Sequence, residues 1–340
     1  WTLITIVITN LVIVYLVFND KIENFTASIF INLISSIIVA LYAMFASFFI
    51  KKQLHIMIDA KKRFFLAVNT GMTDGDNLIT QKFIEFYEDR ASERLYCAIV
   101  GNVVIPNGFG TNGVYPKLTD YKIWSELASR IEGKGSIPGI QLASTWVGYQ
   151  GQYNFISKLD NVSLYREYAS NFNKDFILSQ FENLRVGTEL AIEHGFRHIQ
   201  LHAAHGYLFN LLIEPFFTVD HELVLSCLND WLSLLKEHEI ESSIRISLIT
   251  GDSSLDESLN IESLIEFIKP NFNDLSEGFY NINKRLIYPY SRNIEDRIER
   301  QISIANQFKE QNFISSGLSY GHIRDGATPN NLHIGICRAL

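Results

Sequence analysis

His198-Ile199-Gln200-Leu201-His202-Ala203-Ala204-His205-Gly206-Tyr207 is the stretch that organises the chain. Its first six residues read as a short buried strand. The residues after it place two imidazoles and a phenol where that strand ends. Seven other short, largely apolar runs have the length of strands buried on both faces. They cover residues 64–69, 95–102, 138–143, 243–248, 274–279, 312–317 and 333–338.

Amphipathic stretches separate many of these runs, and helices are predicted over 80–90, 175–194, 222–236, 256–268 and 295–308. Repeated strand-then-helix units imply a parallel sheet. Eight strands imply closure into an α/β (β/α)8 TIM barrel over residues 53–340. No Gly-x-Gly-x-x-Gly turn follows the first run, which disfavours an open dinucleotide-binding sheet. The eighth run reaches the last residues without a following helix, so the barrel reads as C-terminally truncated.

Upstream, residues 1–18 and 29–50 carry no charged side chain. Each approaches the twenty apolar residues that span a bilayer. A polar turn at 19–24 joins them, and Lys51, Lys52, Lys61, Lys62 and Arg63 follow. The expectation is a two-helix transmembrane hairpin over 1–52, with the barrel on the cytoplasmic side. A signal peptide would explain one segment but not two, and a buried hairpin is the other reading. The net charge of −8 has no basic stripe within it, which argues against a nucleic-acid partner. Cys97, Cys227 and Cys337 are widely spaced and odd in number, as free thiols in a reducing compartment are.

In such a barrel, chemistry sits at the C-terminal strand ends. His202, His205 and Tyr207 occupy one of them. Two imidazoles can hold an oxygen that gains negative charge, and a neighbouring phenol can supply a proton. Simple packing at a strand end is the plainer reading. A His-x-x-His zinc site is a third, although no nearby carboxylate offers a further ligand. Gln141 and Arg245 lie within apolar runs and need partners, which a heteroaromatic ring or an internal hydrogen bond can supply. Thr70 ends the first run. Ser315-Ser316-Gly317 ends the seventh, and Gly335 precedes Arg338 in the eighth. Small residues and an arginine there suit a phosphate.

In this order the pieces resemble the old yellow enzyme family of flavin mononucleotide (FMN)-dependent oxidoreductases, from about residue 55 to the end. Residues 194–208 are the most specific part and look like the family's fourth strand and active-site segment. Gln141-Leu142 looks like its flavin-contacting Gln-Leu. The resemblance implies that Ala67, Val68, Asn69, Thr70, Asn102, Gln141, Arg245, Gly317 and Arg338 contact FMN. It implies that His202 and His205 hold a substrate oxygen and that Tyr207 donates a proton. NADH or NADPH would reduce the flavin, and an activated alkene or another small electrophile would accept the hydride. No metal is implied.

The sequence also departs from the family. Val68 and Asn69 replace the usual Pro-Met, Ser144 stands where His is common, and Cys337 replaces a phosphate-binding Gly. The long loop after the fourth strand is replaced by residues 215–220. These departures suit an alternative expectation, a catalytically weakened or non-catalytic, membrane-anchored flavin-binding barrel.

Overall fold

The structure, a computed structural model, describes Tyr15 and residues 35–48, 61–111, 113–147, 149, 161–218, 220–287, 294–318, 322–323 and 328–337. Residues 1–60 and 61–340 form two separate compact units.

In the first unit, residues 35–48 are helical, and large apolar side chains such as Ile38, Met44, Phe45 and Phe48 are exposed. No helix among the described residues is long and apolar enough to cross a membrane. The described residues thus lend no support to the expected transmembrane hairpin or to the membrane anchoring. Most of residues 1–18, together with 29–34 and 49–50, lie outside the described residues.

The second unit is a closed parallel barrel whose strands follow chain order. Its described strands are β1 (Arg63–Phe65), β2 (Cys97–Val104), β3 (Ile137–Ala143), β4 (His198–Ala203), β5 (Glu241–Ser247), β6 (Phe272–Ser276), β7 (Phe313–Ser316) and β8 (Leu332–Ile336). Each overlaps one of the eight runs read from sequence, and β8 closes on β1 through Phe64 opposite Gly335. The described helices around them are α1 (Gln81–Glu88), α2 (Ile123–Gly133), α3 (Asn161–Ala169), α4 (Lys174–Glu193), α5 (Leu208–Ile213), α6 (His221–Glu237), α7 (Ser253–Asp256), α8 (Ile261–Phe267), α9 (Tyr280–Asn283) and α10 (Ile294–Gln307).

Two corrections to the helix pattern have local causes. The single helix expected over 256–268 is broken into α7 and α8, because Asn260 leaves helical geometry and caps α8 by accepting from the Ser263 N–H. The α2 helix is absent from the sequence-based expectation, although Trp124, Leu127, Ala128 and Ile131 bury one face at helical spacing.

Strand residues alternate between the barrel interior and the helical layer. On β4, Ile199 and Leu201 join the large apolar core beneath the helices. The intervening residues are His198, Gln200 and His202. On β5 the corresponding sets are Ile244 and Ile246, and Ser243, Arg245 and Ser247. The N-terminal end of the interior is packed with rings. Phe64 meets Phe272 at 5.0 Å, Tyr96 at 5.3 Å and His198 at 5.8 Å. Above them, polar side chains form a continuous chain. Gln141 donates to Gln200 (2.6 Å) and Gln200 donates to Ser243 (3.1 Å). The His198 ring bridges Ser243 and Glu241 (2.8 Å to each). Glu241 also accepts from the Tyr96 hydroxyl. The links within the interior satisfy Gln141, Gln200, His198 and Ser243, which are buried.

The connection after β4 is short, as expected from sequence: α5 ends at Ile213 and α6 begins at His221. Glu214 lies between them and is buried. Burial, reinforced by Asp256, pushes its carboxyl up to about 8.

This packing has two measurable consequences. Phe64→Ala should open a cavity at the barrel floor and lower unfolding stability by about 3–5 kcal/mol, read by urea denaturation. A loss under about 1 kcal/mol would contradict the packing described. The folded chain holds the Glu214 proton where the unfolded chain has released it. The stability linked to this group is thus full below about pH 4.5 and is lost as pH rises through about 8. Glu214→Gln should flatten that fall and stabilise the chain by about 1–3 kcal/mol at about pH 9. An unchanged pH slope would refute the assignment.

Candidate functional site

The end of β4 turns sharply. His205 and Gly206 both have left-handed backbone (φ 64° and 78°), a conformation costly for histidine. A Cβ on Gly206 would lie 2.7 Å from the Tyr165 hydroxyl oxygen, so only glycine fits there. Three contacts hold this turn: Ser247 accepts from the His205 N–H (2.9 Å), Tyr149 donates to the His205 carbonyl (3.2 Å) and Trp146 donates to the Gly206 carbonyl (3.1 Å).

The turn carries Tyr207 back over the strand. Its ring stacks on that of His202, with centroids 4.0 Å apart and planes 10° apart. His205 meets His202 edge-on at 5.5 Å. Asn102, from β2, donates to the Tyr207 hydroxyl oxygen (3.0 Å). Arg245 lies opposite His202 on the neighbouring strand. His202, His205, Tyr207, Asn102 and Arg245 are thus brought to one end of the barrel from β2, β4 and β5. Tyr149 and Tyr280 add two further rings, 5.3 and 6.5 Å from that of Tyr207.

The partners assign the imidazole tautomers. His202 Nδ1 accepts from the Ala204 N–H (3.3 Å), which places the ring hydrogen on Nε2. His205 Nδ1 faces the Gly278 carbonyl (3.1 Å) and must donate to it. His205 Nε2 then accepts from Ser276 (3.1 Å), whose oxygen accepts from Arg245 Nη2 (3.3 Å). Hydrogen bonds therefore run in one direction from Arg245 through Ser276 and His205 to Gly278. In this arrangement His202 keeps a ring N–H for a ligand, and both nitrogens of His205 are engaged by the protein.

Burial holds both imidazoles neutral. It pushes His202 well below the ordinary histidine range, with repulsion from His205 and Arg245 added. For His205, burial acts first and Arg245 second. The Tyr207 phenol is pushed well up by burial and by Tyr280, against Thr111, Arg245 and Asn102. Tyr207 is thus a proton holder near neutral pH, and its own hydroxyl hydrogen is not used by Asn102.

The other sequence-predicted residues are placed less uniformly. Ala67, Val68, Asn69 and Thr70 follow β1 and are half-buried. Asn69 accepts from the Gly71 N–H (3.1 Å) and Thr70 from the Met72 N–H (3.2 Å), so both side chains shape the loop. Gln141 is buried and spends its amide on Gln200. Gly317 follows β7 with φ 101°. Arg338 lies outside the described residues.

Arg245 keeps an unpartnered polar atom. It is buried, its Nε has no hydrogen-bond partner, and Asp274 is 3.7 Å away. Among the described residues, no group of three His, Cys, Asp or Glu is arranged to hold a metal ion.

Sequence reasoning missed Asp274, Ser276, Tyr149, Tyr280 and Arg297. Asp274 and Ser276 had a signal, because they alternate along β6 as Ser243 and Arg245 do along β5. Tyr149 comes from a loop, Tyr280 from the start of α9 and Arg297 from α10, where no strand periodicity announces them.

No protein-family model and no curated protein matches the chain by sequence. Solved structures do match it. Old Yellow Enzyme from Pichia sp. AKU4542 aligns with a TM-score of 0.59 at 15% identity, over 82% of this chain and 79% of that one. A 2-naphthoyl-CoA reductase complexed with 2-naphthoyl-CoA aligns with a TM-score of 0.60 at 13% identity, over 82% of this chain and 48% of that one. The chain thus spans about half of that reductase. At these identities the likeness is one of architecture, and the chain has the barrel fold that Old Yellow Enzyme has.

Proposed function

We propose that the chain is an FMN-dependent oxidoreductase that uses NADH or NADPH to reduce an activated alkene or a similar small electrophile. The observation that carries this reading is the stacked pair of His202 and Tyr207. One ring N–H and one phenolic O–H lie side by side, with the Arg245 guanidinium on the adjoining strand. When bound, a flavin would take hydride from the nicotinamide and deliver it to the electron-poor carbon.

The chain's own groups have separate tasks. Arg245 offers positive charge and an unpartnered Nε to the electron-rich edge of the ring. Gln141 lines the interior beside it, and the Ala67–Thr70 segment and Gly317 supply backbone at the strand ends. His202 Nε2–H holds the substrate oxygen as negative charge builds on it. Tyr207 holds the proton at its Oη and gives it to the neighbouring carbon, and Asn102 then stabilises the phenolate by donating to that oxygen. His205 positions this machinery through Ser276 and Gly278.

A second reading, a flavin-binding barrel with slow turnover, is favoured by one feature. His205 has no N–H left for a ligand, so the substrate oxygen meets one imidazole donor where the sequence suggested two.

Two measurements test these readings. The purified chain should be yellow and should bleach on addition of NADH or NADPH; a colourless chain that takes up no FMN refutes both. Tyr207→Phe should slow alkene reduction by about 100-fold or more while changing flavin reduction by less than about twofold. Equal loss in the two half-reactions would remove the proton-donor role.

A further inference from the structure

Two arginines are buried near the C-terminal strand ends, and among the described residues the guanidiniums there outnumber the carboxylates. Arg245 rises from β5. Arg297 reaches in from α10 and is 3% exposed. Arg297 Nη1 donates to the Leu286 carbonyl (3.0 Å) and Nη2 to the Ser316 hydroxyl oxygen at the end of β7 (2.9 Å). Its Nε, like that of Arg245, has no hydrogen-bond partner.

The nearby carboxylates do not balance this pair. Asp274 is fully buried and lies 3.7 Å from Arg245 Nε, but neither of its oxygens receives a well-formed hydrogen bond. Burial pushes its carboxyl up, against the pull of Arg245 and Arg297. Glu277 is also buried and attracts Arg297, but Arg300 engages both of its oxygens, at 2.9 and 3.0 Å. His202 and His205 are neutral and contribute no negative charge. Among the described residues, three guanidiniums, Arg245, Arg297 and Arg300, thus face two buried carboxylates, Asp274 and Glu277. A guanidinium does not escape burial by losing its proton, so the missing charge has to come from elsewhere.

We propose that Arg297, with the free hydroxyl hydrogen of Ser316, binds an anionic oxygen group, phosphate or carboxylate, of a ligand entering the barrel between the ends of β6 and β7. Arg297 fits such a group better than a purely structural role. Its two formed bonds go to a backbone carbonyl and a hydroxyl, neither of which neutralises it, and its planar fork suits paired oxyanion contacts. The anion site goes beyond the flavin reading and does not require it.

The test uses the full chain freed of flavin, with wild type compared with Arg297→Gln and Arg297→Lys. Thermal unfolding is followed in inorganic phosphate, in cinnamate and in chloride at matched ionic strength. Wild type should gain about 5 °C in Tm at saturating phosphate or cinnamate relative to chloride. R297Q should lose most of this gain and R297K should keep part of it. Equal Tm values for wild type in all three salts overturn the proposal, as does an R297Q chain that keeps the full gain. If R297Q does not fold, the wild-type comparison decides alone.

Titration with FMN and riboflavin identifies the source of the group. A loss of about tenfold or more for FMN in R297Q, with riboflavin unchanged, assigns the site to the cofactor phosphate. Unchanged binding of both flavins, with cinnamate protection lost, assigns it to a substrate carboxylate. If wild type keeps its anion-specific shift and binds neither flavin, the flavin reading fails and the anion site stands. Flavin binding without any anion shift overturns the anion site and leaves the flavin reading in place.

Discussion

A guanidinium taken into a protein interior loses its hydration and keeps its charge, and the mouth of this barrel is arranged around that cost. Arg245 donates to Ser276, Ser276 donates to His205, and His205 donates to the carbonyl of Gly278. Each donor has one acceptor, so the tautomer of His205 is determined by its neighbours. The same positive charge helps to keep both imidazoles neutral. Burial first, and the charge of Arg245 after it, therefore set the protonation states at the mouth, and the hydrogen bonds from Arg245 set the orientation of His205.

The interior below the mouth obeys the same constraint with different residues. Gln141, Gln200, Ser243, His198 and Glu241 pass hydrogen bonds toward the N-terminal end of the barrel, where rings of Phe64, Tyr96 and Phe272 seal it. A polar column flanked by Ile199, Leu201, Ile244 and Ile246 makes β4 and β5 two-sided. Their apolar side chains anchor the helical layer, and the polar ones align the interior. This division explains how a fold held together by an apolar core can support two imidazoles and an arginine at one end.

Much of this is legible in the linear sequence. All eight strands are short runs bounded by turns, and the run at 198–203 matches β4 to the residue. Legibility ends where periodicity is broken or absent. Asn260 satisfies an orphan amide locally and splits one expected helix into two. Arg297 sits on an otherwise ordinary surface helix, and its burial depends on how α10 lies against β7 rather than on its sequence neighbours.

The amino-acid sequence alone determined the order of the strands, the closure expected of eight parallel strands, and the identity of His202, His205 and Tyr207 as a cluster at one strand end. These follow from period and spacing, which are local properties of the chain. Tertiary structure decided which nitrogen of each imidazole is free, that Tyr207 lies flat on His202, and that Asn102 supports its hydroxyl. It also brought Asp274 and Arg297 to the same mouth. Such facts depend on distances between residues far apart in sequence, and on a burial cost that arises only once the barrel has closed.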